Sequence, residues 1–126
     1  MKLAEFFKHD FKKGNFTLYD SESNMTYHEN SGSCWIKKEY DSQGNETYYE
    51  SSDDYWSKRE YDSEGNMTYY ENSNSYWVQS EYDSRGNETY HENSNGFTRG
   101  VSRNSIKKMS IQEIQEQLGY KIEITE

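Results

Sequence analysis

Cysteine is almost missing from this chain of 126 residues: Cys34 is the only one. A lone cysteine excludes an intramolecular disulfide, fits a reducing compartment, and is read as a packed thiol. Large apolar side chains are scarce as well. Leu, Ile, Val and Phe supply 16 of 126 residues, and the formal net charge is −9. That excludes a conventional aliphatic core and lies on the disordered side of the compositional boundary. The centre of the chain has no cluster of Lys and Arg, which argues against direct nucleic-acid binding, because phosphate neutralisation needs one. There is no phosphate-binding glycine loop and no catalytic-triad spacing, and no carboxylate pair stands out as an acid–base couple. The chain is therefore not read as an enzyme, and no catalytic residue, cofactor or metal is expected.

Aromatic residues are abundant, at 17% with 13 Tyr and 3 Trp, and they recur at fixed offsets. Trp35–Tyr55 reads WIKKEYDSQGNETYYESSDDY, Trp56–Tyr76 reads WSKREYDSEGNMTYYENSNSY, and Trp77–Phe97 reads WVQSEYDSRGNETYHENSNGF. A weaker copy, Gly14–Cys34, reads GNFTLYDSESNMTYHENSGSC. These are four 21-residue units in register over residues 14–97. An internal repeat of this kind marks a tandem array, in which function belongs to a repeated surface.

Each unit reads as a β-hairpin. In the third, Trp56–Tyr61 is one strand, Asp62–Asn66 a turn with Gly at a left-handed position, and Met67–Glu71 the second strand. Asn72–Ser75 then turns the chain into the next unit. Turn residues interrupt every unit and leave no helical apolar stripe, which excludes a helical hairpin. Alternation puts Trp56, Lys58 and Glu60 on one face and Ser57, Arg59 and Tyr61 on the other. The expected fold is mostly β: four hairpins in one antiparallel sheet, with ladders of Trp35, Trp56, Trp77 and of Tyr40, Tyr61, Tyr82 as its core. The turn Asp-Ser-x-Gly-Asn lacks the ligand density of a calcium loop.

Residues 1–13 carry Leu3, Phe6, Phe7 and Phe11 at helical spacing. This segment is too short and charged for a signal peptide or a membrane span, and reads as a cap on the first hairpin's open edge, with His9 solvated. Residues 98–126 read as a basic connector and a helix–strand cap. Ser110–Glu113 forms a capping box, Ile111, Ile114 and Leu118 an apolar helix face, and residues 120–125 a strand.

Residues 14–97 hold 17 acidic and 5 basic side chains, a net of −12. The acids recur in columns, including Asp41, Asp62, Asp83 and Glu50, Glu71, Glu92, with units expected about 10 Å apart. Together with Tyr49 and Tyr70 they form the expected partner-binding set, an acidic stripe facing a basic protein surface.

The unit EYDSxGNxTY resembles the bacterial YD repeat and, more distantly, MORN-type hairpin repeats. Large YD proteins wind into a β-shell around a toxin, and four units are too few to enclose anything. Short EYDSxGNxTYxENS arrays ending in a tail such as SIQEIQEQLGYKIEI resemble small proteins of bacteriophages and integrated elements. That resemblance implies a cytoplasmic inhibitor of a bacterial host's defence, of the anti-CRISPR kind, whose partner is a CRISPR effector or another nucleic-acid-binding defence protein. Two other readings come from different classes: a module whose aromatic ladders bind a carbohydrate or quaternary amine, and a self-assembling structural module.

Overall fold

The computed structural model describes residues 2–103. The described residues are mostly β and form one open antiparallel sheet of nine strands in sequential order. The strands are β1 (Phe16–Tyr19), β2 (Met25–Glu29), β3 (Trp35–Tyr40), β4 (Glu46–Ser51), β5 (Trp56–Tyr61), β6 (Met67–Asn72), β7 (Trp77–Tyr82), β8 (Glu88–Asn93) and β9 (Thr98–Gly100). Before them come a short helix, α1 (Leu3–Phe6), and a 3-10 turn, Phe11–Lys13. Residues 98–100, expected as connector, pair with β8 and add a ninth strand. The expected C-terminal helix and final strand lie outside the described residues.

Both turn types of the repeat share one construction. In Asp62–Asn66 the Gly65 amide donates to the Asp62 carbonyl, and the Asp62 amide donates to the Asn66 carbonyl. In Asn72–Tyr76 the same two bonds are Ser75 to Asn72 and Asn72 to Tyr76. The left-handed position holds Gly44, Gly65 and Gly86 at φ 85°, 85° and 84°, as the sequence predicts. Ser23, Asp54 and Ser75 occupy it elsewhere at φ 65–67°. A Cβ on Gly65 would meet no atom within 4 Å. A substitution there is therefore penalised by backbone strain alone. Gly65→Val should destabilise by about 1–3 kcal/mol, whereas Gly65→Asn should do so far less, because Asn tolerates this region. Equal denaturant midpoints for the two variants would contradict the turn geometry.

One bulge per unit keeps the faces consistent. Glu60 pairs with Tyr69, but the next residue, Tyr61, pairs with Met67, so Thr68 is the extra residue. The same slip occurs at Glu39/Tyr40 and Glu81/Tyr82. Because of it, Lys58 faces Glu71, which faces Trp77, a step of 19 residues. A repeat of 21 and a step of 19 differ by two, so equivalent side chains share a face. A step of 20, without the bulge, would throw alternate units onto opposite faces. The remaining two-residue difference staggers each unit along the strands.

Among the described residues the core is thin. Ala4, Phe16 and Tyr27 are its buried hydrophobic residues there, with Leu3, Phe11, Leu18 and Trp35 against them. Rings form a chain there: Phe7 on Phe16, Phe16 beside Tyr27, and Tyr27 stacked on Trp35 at 6.2 Å. The N-terminal segment, expected on the first hairpin's open edge, packs on the sheet's face against Phe16, Tyr27 and Glu29. His9, expected to be solvated, is half-buried, with rings on both sides and Nε2 2.8 Å from the Gly14 carbonyl oxygen. The expected ladders do not stack ring on ring. The three tryptophans are separated by intervening strands, and among the described residues no two indoles touch. Tyr40 and Tyr61 instead reach the preceding hairpin, donating to the backbone oxygens of Met25 and Glu46.

Candidate functional site: the acidic face

Cross-strand pairing sorts the charges. One face carries Glu29, Glu39, Glu50, Glu60, Glu71, Glu81 and Glu92 with only Lys37 and Lys58, a net of −5. The opposite face carries Lys38, Arg59 and Arg99 against Glu46 and Glu88, a net of +1. Both of its acids are paired. Glu46 lies 3.1 Å from Lys38 and 2.6 Å from Arg59, and Glu88 contacts Arg99 and His91. On the acidic face Lys37 and Lys58 stand opposite Glu50 and Glu71, with no ion pair formed. Lys58 instead lies 5.2 Å from the Trp56 ring centre.

The like-charge column expected from the sequence is therefore broken up. Glu50 has Lys37 and Trp56 as its cross-strand neighbours, and Glu71 has Lys58 and Trp77. With the two-residue stagger, equivalent glutamates lie about 12 Å apart on a diagonal, not about 10 Å apart in a straight row. Tyr49 and Tyr70, expected beside these acids, point to the opposite face, where Lys38 and Arg59 lie over their rings. There Tyr49 meets Tyr55, Tyr70 meets Tyr76, and the Tyr55 and Tyr70 hydroxyls are 3.0 Å apart. Alternation along Tyr49-Glu50 and Tyr70-Glu71 was the signal that could have separated them. Cys34 holds the position of Tyr55 and is exposed, not packed.

Asp41, Asp62 and Asp83 lie in the turns at one end of the sheet. The Asp62 carboxylate accepts the amides of Glu64 and Asn66 and the side-chain amide of Asn66. Asp41 and Asp83 do the same in their turns. The Asn backbone amide, first among these donors, holds each carboxyl below its usual pKa. Their first task is to build the turn.

Tyr48, Tyr69 and Tyr90, which are outside the expected partner-binding set, are tyrosines that do stand among the acids. Each sits between two glutamates: Tyr48 faces Glu39 and precedes Glu50 by two residues, and the later units repeat this. Burial and then the flanking carboxylates push the Tyr48 and Tyr69 phenols up. The Tyr90 hydroxyl donates to Glu92 at 2.5 Å, and that bond leads the rise of its pKa. In the first unit Tyr27 donates to Glu29 at 2.7 Å. Burial, followed by that bond, raises Tyr27 to about 12.

One groove recurs three times along this face. It is lined by Thr26, Tyr27, Lys37, Lys38 and Glu39; then by Thr47, Tyr48, Lys58, Arg59 and Glu60; then by Thr68, Tyr69, Gln79, Ser80 and Glu81. The volumes are about 440, 340 and 290 Å3. Leu3 enters the first, where its amide donates to the Tyr27 hydroxyl and the Ala4 amide donates to Glu29. Arg103 enters the last, donating its amide to Glu81 and its guanidinium to the Tyr82 carbonyl. Among the described residues, none from either terminal segment lines the central copy.

Among the described residues no group of His, Cys, Asp or Glu is placed to hold a metal ion, and no helix is long and apolar enough to cross a membrane. No protein-family model matches the chain, and no curated protein matches it.

Proposed function

We propose that the protein is an acidic protein-binding module that covers a basic, nucleic-acid-binding surface of its partner. The single observation that carries this reading is the sorting of charge, −5 on one face against +1 on the other. Scattered solubilising acids would not segregate in this way. Half-buried Trp and Tyr rings interleave the carboxylates, so a partner's arginines can pair with the acids while their stems lie on the rings. The resemblance to small phage-encoded repeat proteins suggests the partner class, a bacterial defence complex that grips nucleic acid, as anti-CRISPR proteins target.

The test is charge reversal on this face: Glu50→Lys, Glu71→Lys and Glu92→Lys in one protein. We expect a folded protein whose association with a partner captured by the parent from bacterial lysate is at least about tenfold slower. Binding by the parent should weaken as salt rises. A second reading, an aromatic site for a quaternary amine, is favoured by one contact, the Lys58 ammonium over Trp56. Unchanged partner binding by the reversed protein, with no salt effect, would select this second reading.

A further inference from the structure

Deepening the acidic-face reading, and resting on it, we propose that the Tyr48–Glu50 and Tyr69–Glu71 pairs each receive a short segment of the partner. That segment presents two consecutive backbone N–H groups, the first residue carrying a long aliphatic side chain and the second a small one. The argument starts from the first unit. There the equivalent Tyr–Glu pair already holds such a segment, Leu3–Ala4, through two backbone donors at 3.2 Å each. Leu3 enters the groove and Ala4 is wholly buried, so the second residue has no room for a larger side chain. The far end of the face behaves alike: Glu81 accepts the Arg103 amide at 3.0 Å and the Ser102 hydroxyl at 2.8 Å. Two segments separated by the whole array thus dock on this face by giving backbone N–H to a glutamate. The bulge and the 21-residue period carry the same Tyr, Glu and groove into the second and third units, where no segment of the described chain sits. Lys2 precedes Leu3, and a basic side chain beside the dipeptide suits the negative face.

The probe is an acetylated peptide with the sequence of residues 1–8, MKLAEFFK, added to the full-length protein and followed by amide chemical shifts. Saturable shifts are expected in the second and third units. Tyr48→Phe with Glu50→Gln, which nearly keeps the shape and removes one negative charge, should weaken binding at the second unit at least tenfold and leave the third intact. A peptide carrying Trp in place of Ala4 should not bind at either. Shifts confined to the first unit would mean that the peptide merely exchanges with the chain's own segment, and the inference would be wrong. Equal binding by the Phe–Gln variant would overturn it as well. The charge-reversal experiment is independent: a peptide that fails while reversal still abolishes partner capture removes this inference and leaves the acidic-face reading standing.

Discussion

Replacing Glu29 with lysine should destabilise the protein by about 3 kcal/mol or more and release its N-terminal segment. Glu29 is 3% exposed and lies between Phe16 and Trp35 in the ladder. Its carboxylate accepts from the Ala4 amide and the Tyr27 hydroxyl. An ammonium group offers no acceptor, leaves both donors unsatisfied and puts an unpaired charge in a closed site. The chain relieves this by undocking residues 2–13, which exposes Phe16 and Tyr27. Glu50 occupies the same place in the next unit, where no segment of the described residues covers it, so Glu50→Lys should change stability by less than about 1 kcal/mol. Urea unfolding gives both values, and limited proteolysis should cut the Glu29 variant early in the chain. Equal effects at the two positions would show that the docked segment contributes nothing.

Removing all three indoles, Trp35→Ala, Trp56→Ala and Trp77→Ala, should unfold the array. Each ring is half-buried. Roughly 100 Å2 of apolar area per ring, at about 25 cal/mol per Å2, gives about 2.5 kcal/mol each as an upper figure. The three sites are far enough apart to add, and their sum of roughly 7 kcal/mol approaches the whole stability of a domain this size. Among the described residues no aliphatic core stands behind them to compensate. The Ser52, Ser73 and Ser94 hydroxyls, which accept from the Trp amides, remain but hold only backbone. Circular dichroism of the triple variant should lose its β signal at room temperature. A cooperative transition near that of the parent would mean that hydrogen-bonded turns alone sustain the sheet.

Much of this architecture is legible in the chain because a repeat states it several times. Tyr-Asp-Ser-x-Gly-Asn marks its own turn, and alternation in Trp56–Tyr61 correctly separates Lys58 from Arg59. What was not legible depends on a single extra residue. Nothing in Met67-Thr68-Tyr69 marks Thr68 as a bulge, yet the bulge fixes the two-residue stagger and so turns a column of glutamates into a diagonal flanked by Lys and Trp. Asp41, Asp62 and Asp83 looked available as surface acids because spacing does not reveal that their oxygens are taken by turn amides. The docking of Leu3–Ala4 and Arg103 was hidden for a related reason: neither segment belongs to the period, so the repeat says nothing about where it lands.

The sequential strand order also sets how quickly the sheet can form. Every ladder pair joins residues no more than 15 positions apart, as Ser57 and Asn72 are. Closing such short loops loses little chain entropy, and contact order stays low for an all-β fold. No unit has to wait for a distant one, so any hairpin can nucleate and its neighbours can zip on from either side. Among the described residues, the side-chain hydrogen bonds that span more than one unit's length join Leu3 and Ala4 to Tyr27 and Glu29, at separations of 24 and 25 residues, and Arg103 to Glu81, at 22. On this topology the N-terminal segment docks last, onto a sheet that is already formed.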